Sequence, residues 1–271
     1  MRFPVSNLAV LAVAFVVLAC GQYRKIQKNP DWRVKFEAGQ EYYEEKDYFR
    51  ASELFETILP VVRGLPEGEE VEFKLGYCYY HQRLYLLASN QFQSFYETYG
   101  RSSFTEEAQL MYAYSLFVSS PDYNLDQQNS LEAMAAMQNF LNQYPASSFS
   151  ARATEVIIST QVKVEKKYFE NARQYLKLRM YKAAVIAFDN FALSFPDSHH
   201  LEEVAYLKVL AEYRLARQSI LDRQKERYAT VVEFYKNLID NYPESEYLKD
   251  AERLYSESLD QLNKLNNNKN S

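Results

Sequence analysis

Gly39, Tyr42, Ala51 and Phe55 stand at relative positions 0, 3, 12 and 16, and Gly76, Tyr79, Ala88 and Phe92 reproduce those intervals. Two matches at four positions are not a product of chance, so this periodicity constrains the fold before any local propensity does. The segments carrying it are alike: Lys46 to Phe55, Gln82 to Phe92 and Met180 to Phe188 each begin a helix with a small residue followed four positions later by an aromatic one. A glycine and an alanine let two helices approach, and a tyrosine and a phenylalanine fill the space to the next pair. No such pair buries its apolar face alone, so several must stack.

The spacing is similar to that of the tetratricopeptide repeat, a helix-turn-helix unit of 34 residues. Gly 6 and Pro 8 in 271 residues leave few breaks, which favours long helices over many short strands. Five units are expected, at 33–63, 69–101, 103–146, 149–197 and 199–244. Tyr144-Pro145, Phe195-Pro196 and Tyr242-Pro243 end helices, each followed by a serine placed to cap the next. A last helix over 246–264 aligns Leu248, Ala251, Leu254, Tyr255, Leu259 and Leu262 on one stripe and caps the stack. The expected fold is all-α, a tetratricopeptide α-solenoid of about five helix pairs plus a C-terminal capping helix, with a disordered polar tail over 265–271.

The amino terminus carries a second signal. Met1 and Arg2 form a small positive region, Leu8 to Ala19 an apolar run, and Val17-Leu18-Ala19-Cys20 ends it with a small residue before a cysteine. The run is too short to span a bilayer, which takes roughly 20 residues. It is similar to the lipobox of bacterial lipoproteins, which implies a signal peptide over 1–19 and lipidation of Cys20. Residues 20–30, with Arg24, Lys25 and Lys28, read as a flexible tether beside anionic head groups. Cys78 is then the remaining cysteine, so no intramolecular disulfide is expected, and a buried thiol is.

With the leader removed, 30 basic residues face 36 acidic ones, which argues against a nucleic-acid-binding surface. From Asp31 to Ser120 there are 8 basic and 15 acidic residues, whereas Lys163 to Lys182 holds 7 basic and 2 acidic, so one half repels anions and one helix attracts them. His81, His199 and His200 are the histidines, none at a metal spacing such as His-Glu-x-x-His, and no Gly-x-Ser-x-Gly or phosphate-cradling loop occurs. The expectation is a non-enzymatic protein without cofactor or metal.

The first helix of each unit should line the concave face. It offers Phe36, Gln40 and Tyr43 in the first unit, Phe73, Tyr77, Tyr80 and His81 in the second, and Leu110, Tyr114 and Phe117 in the third. Two readings stand side by side: a groove that takes an extended peptide with aromatic ends, or rings that pack repeat on repeat.

The lipoprotein signal, the five units and the helix-ending Tyr/Phe-Pro-x-Ser motifs together resemble the BamD family, lipoproteins of the outer-membrane β-barrel assembly machinery. The stretch from Tyr175-Leu176-Lys177-Leu178-Arg179-Met180-Tyr181-Lys182-Ala183-Ala184 to Phe195-Pro196-Asp197-Ser198 anchors the resemblance. It implies an N-terminal half over 31–146 that receives unfolded outer-membrane barrel proteins, with Phe36, Gln40, Tyr43, Phe73, Tyr77, Tyr80, His81 and Tyr114 as the substrate side. It implies a C-terminal half over 147–264 that docks on the POTRA domain of BamA, with Arg173, Lys177, Arg179 and Lys182 as a candidate surface. The place implied is the periplasmic face of the outer membrane. The contending reading is a periplasmic scaffold for division or peptidoglycan synthesis; a SusD-like glycan binder is disfavoured because Trp32 is the one tryptophan.

Overall fold

The computed structural model describes residues 22–267. The signal peptide and Cys20 lie outside the described residues, as do 268–271. Among the described residues every regular element is an α-helix. A short helix α1 (22–27) precedes α2 (Trp32–Glu44) and α3 (Tyr48–Val62), which form the first pair. Then come α4 (Pro66–His81) with α5 (Tyr85–Thr98), α6 (Thr105–Ser119) with α7 (Gln128–Gln143), and α8 (Ser150–Lys177) with α9 (Tyr181–Ser194). The last pair is α10 (Leu201–Arg217) with α11 (Leu221–Asn241), followed by α12 (Leu248–Asn267). This is the expected all-α repeat architecture of consecutive helix pairs.

Two compact units emerge. Unit 1 runs to Pro121 and resumes over Leu125–Thr160, and unit 2 comprises Asp122–Asn124 and the chain from Gln161 onward. The division falls inside α8, not between 146 and 147 where the reading in halves places it. The reason is length: α8 has 28 residues, and its first turns pack Ala153 and Val156 on Met137 and Phe140, while Phe169, Ala172 and Leu176 join the core beside α9 and α10.

The matched residues do what their sizes dictate. Ala51, Phe55, Ala88 and Phe92 are wholly buried. A Cβ on Gly39 would lie 2.7 Å from Cε1 of Phe55, and one on Gly76 would lie 2.7 Å from Cε1 of Phe92. Each ring therefore occupies the space a side chain would need. In the second pair Phe73, Phe92, Phe95, Ala108 and Met111 complete the cluster, carrying it into the third.

The turn inside a pair repeats too. Lys46 (φ 63°), Arg83 (φ 63°) and Arg179 (φ 61°) take the left-handed conformation. The amide of Asp47 reaches Tyr42 O at 2.8 Å, that of Leu84 reaches Tyr79 O at 2.9 Å and that of Met180 reaches Tyr175 O at 2.9 Å, the six-to-one bond of a Schellman ending. Long basic side chains stand where glycine is the ordinary choice.

Between pairs, the serine turn differs from expectation. Ser102, Ser147, Ser198 and Ser245 accept from the amides of Phe104, Phe149, His200 and Tyr247, each one residue short of the next helix, so they brace the entry turn and do not cap the helix itself. The hydroxyls of Ser102, Ser147 and Ser198 also donate to Glu69, Glu106 and Glu165 on the first helix of the preceding pair.

Two terminal expectations are corrected. Residues 22–27 are helical, and Tyr23 packs edge-on against Tyr42 at 5.7 Å and donates to Glu53 at 2.5 Å, so a single aromatic anchor fixes a segment read as free tether. Residues 265–267 continue α12, with Leu265 against the unit 2 core, and so are not a loose tail.

Two stability outcomes follow. Gly76→Ala should cost about 1–3 kcal/mol by overpacking, read from urea midpoints, and the cost should shrink when combined with Phe92→Leu, which vacates the contact. Arg83→Gly should raise the stability by up to about 1 kcal/mol, seen as a higher urea midpoint, because relief of the left-handed strain exceeds the added entropy of the unfolded chain.

Candidate functional site

Residues three or four apart share a helix face, so Gln40 and Tyr43 on α2, and Lys74, Tyr77, Tyr80 and His81 on α4, run along the first helices of unit 1. Side chains link one helix to the next. Lys74 donates to Gln40 Oε1 and lies 5.0 Å from the Tyr43 ring centroid, and its ammonium pairs with Glu70 at 2.9 Å. The Tyr77 hydroxyl donates to Glu107 on α6. The Tyr80 ring lies 6.1 Å from that of Tyr114 on α6, and the guanidinium of Arg152, on the first turn of α8, sits 4.2 Å above the Tyr114 ring. His81 is exposed and stacks on Tyr48 at 4.2 Å and 13°.

The result is a ladder of half-buried phenols with cations between them. Burial raises the pKa of Tyr43, and burial followed by the bond to Glu107 raises that of Tyr77. Burial, with Lys46 nearby, pulls the His81 pKa down. The hydroxyls of Tyr43 and Tyr77 therefore stay protonated donors through the ordinary pH range. Such a face is suited to non-covalent capture: the rings offer stacking, the hydroxyls and Arg152 offer hydrogen bonds, and Arg152 brings a positive charge.

The residues expected to line this face divide. Tyr43, Tyr77, Tyr80, Tyr114 and Gln40 come together. Phe73 does not: it is 7% exposed and stacks on Phe104 at 4.5 Å, so it is core. Leu110 is buried against Ala113 and Met137, while Phe36 is half-buried with Trp32 against the core cluster that α3 shares with α4. Phe117 is half-buried, 6.0 Å from Tyr114. Phe73 thus follows the packing reading, while Tyr43, Tyr77, Tyr80 and Tyr114 lie half-buried.

Of the basic residues in the fourth pair, Arg173 is engaged: it donates to Glu170 at 3.0 Å and approaches Glu203 at 3.9 Å. Lys177, Arg179 and Lys182 are exposed, with Leu178 and Met180 exposed beside them. Lys177 has only a 4.0 Å approach to Glu170.

Two features were not anticipated. A groove of about 370 Å³ in unit 1 is lined by Tyr96, Tyr112, Glu132 and Asn139, on α5, α6 and α7. In unit 2 a cavity of about 310 Å³ is lined by Glu165, His199, His200 and Glu203. Neither shows in one periodic segment, since each is assembled from separate helices. No helix among the described residues is long and apolar enough to cross a membrane.

A family model described as YfiO, outer membrane lipoprotein, matches residues 30–190 and 163–266. No curated protein matches the chain.

The raised phenol of Tyr77 makes a signed prediction. The native state keeps a proton that the unfolded chain releases, so the contribution to stability is complete below about pH 10 and is lost as pH rises above it. Urea midpoints should decline above that pH, and Tyr77→Phe should flatten the decline.

Proposed function

The chain belongs to the YfiO family of outer membrane lipoproteins, and from that premise we propose that it is a non-enzymatic scaffold of the β-barrel assembly machinery. In this reading Cys20 carries the lipid, and the protein sits on the periplasmic face of the outer membrane. Unit 1 receives segments of unfolded barrel proteins, and unit 2 docks the POTRA region of a BamA-like partner.

The observation that carries the reading is the phenol ladder of unit 1. An unfolded barrel strand offers aromatic side chains at alternate positions and a backbone whose carbonyls are not yet paired with a neighbouring strand. Tyr80, Tyr114 and Arg152 match that chemistry, with stacking surfaces and donors along one face. Exposed Lys177, Arg179 and Lys182 with Leu178 and Met180 supply a mixed basic and apolar surface in unit 2, suited to an acidic patch on a folded partner. Binding needs no cofactor. A lipid tether raises the local concentration of both partners, and differential affinity shifts a client towards the conformation that is handed on.

The test has two arms. Isolation of the full-length lipoprotein from its own membranes in gentle detergent should recover a POTRA-domain barrel protein in near-equal amount; recovery of division or peptidoglycan enzymes without it overturns the assembly role. Arg152→Ala combined with Tyr80→Ala should weaken binding of an aromatic-ended barrel peptide by on the order of tenfold, given about 0.5–2 kcal/mol for a cation over a ring, with the helical circular-dichroism signal unchanged.

A further inference from the structure

The turn between α9 and α10 repeats the bracing serine of the other pairs but adds something they lack. Ser198 bonds Glu165 at 2.5 Å and accepts from the amide of His200 at 3.0 Å, just as Ser147 bonds Glu106 at 2.5 Å and accepts from Phe149 at 3.0 Å. The two residues after the serine are Ser103-Phe104 and Ser148-Phe149 in the second and third pairs, and Glu246-Tyr247 after the fifth. In the fourth they are His199-His200. The brace therefore works without histidine, and the glutamate is explained by the brace. The imidazole pair is explained by neither.

Its placement is specific. The ligand atoms of Glu165, His199 and His200 all lie within 4.8 Å of one another, and His199 Nδ1 is 3.9 Å from Glu165 Oε1. The two imidazole centroids are 3.9 Å apart. The His200 ring is fixed by stacking on Phe169 at 4.0 Å and 10°. Ser198 donates to Oε1 of Glu165, the same oxygen that stands 3.9 Å from His199 Nδ1, and so fixes the carboxylate beside the imidazole pair. The three face the cavity of about 310 Å³, where Glu170 and Glu203 stand as outer carboxylates gathered by Arg173, and Lys166 on the same wall lies over the Tyr123 ring at 4.4 Å.

We propose that Glu165, His199 and His200 form a binding site for a divalent transition-metal ion, Zn²⁺ in the first instance. Two imidazole nitrogens and one carboxylate oxygen, with a fourth position open to water, is a donor set that zinc accepts in tetrahedral geometry. Small side-chain rotations bring the ligand atoms to bonding distance, because bound ligands of one zinc stand closer together than the present spread. The hydroxyl of Ser198 serves as the outer partner that orients the carboxylate. A bound ion would clip α8 to the turn that leads into α10, stiffening the fourth and fifth pairs against each other inside unit 2.

The experiment uses the full-length chain in detergent, stripped of metal and titrated calorimetrically with ZnCl2. One equivalent should bind, thermal unfolding should move upward, and MgCl2 should do neither. His199→Ala, which removes a side chain that is 78% exposed and so leaves the fold intact, should weaken Zn²⁺ binding at least about tenfold. Glu165→Gln should do likewise while keeping an acceptor for Ser198, and His81→Ala, in unit 1, should leave Zn²⁺ binding as it is in the parent chain. Absence of Zn²⁺ binding in the parent chain, or binding undiminished in both His199→Ala and Glu165→Gln, overturns the proposal.

Discussion

A phenylalanine ring lying in the space left by a glycine sets how close the two helices of a pair can run. Phe55 against Gly39 and Phe92 against Gly76 hold that distance at a value no larger residue allows. Everything further out depends on it. Because the first helices lie close to their partners, their opposite side is free to meet the next pair, which is how Phe73 reaches both Phe92 and Phe104. The apolar burial that stabilises the fold is thus shared between neighbours, and no pair owns a core of its own.

The turns carry strain and ties in alternation. Inside pairs, Lys46, Arg83 and Arg179 occupy a left-handed conformation that costs a side-chain-bearing residue about 1–2 kcal/mol. At the turns of Ser102, Ser147 and Ser198, the serine bonds to a glutamate of the preceding first helix and accepts from the amide just before the next helix, so one hydroxyl joins three segments. The strained turn is tolerated because the Schellman bonds around it satisfy carbonyls that would otherwise lack a partner. Basic residues there also keep positive charge at helix C-termini, where the dipole favours it.

Much of this was legible in the chain. The Gly-Tyr-Ala-Phe intervals gave the helix pairs, and the aromatic-proline-serine motifs marked the places where one pair ends. What the intervals could not separate was core from face. Phe73 and Tyr77 are four apart on α4 and share its pattern, yet Phe73 is buried because Phe104, from the loop before α6, closes over it. That contact spans repeats and leaves no periodic trace. Tyr23 escaped notice for a related reason, since one ring on a six-residue helix makes no stripe. The histidine pair was visible as two letters, but its glutamate stands on another helix and only the serine turn brings them together.

The preference for tyrosine over phenylalanine on the first helices of unit 1 has a physical rationale. A ring there must pack on its neighbours, because the repeats bury surface only by touching, and it must also tolerate water on its outer edge. Phenylalanine meets the first demand alone, and a row of such rings would present an apolar patch open to indiscriminate association. A phenol meets both, since its body joins the packing while its hydroxyl faces a carboxylate, as in Tyr77 to Glu107 and Tyr79 to Glu56. Raising the phenol pKa by burial keeps that hydroxyl a donor. A surface so built is held in place by its own repeats and still offers rings and donors outward, so a ligand meets rings whose positions are already fixed and less ordering remains to oppose binding.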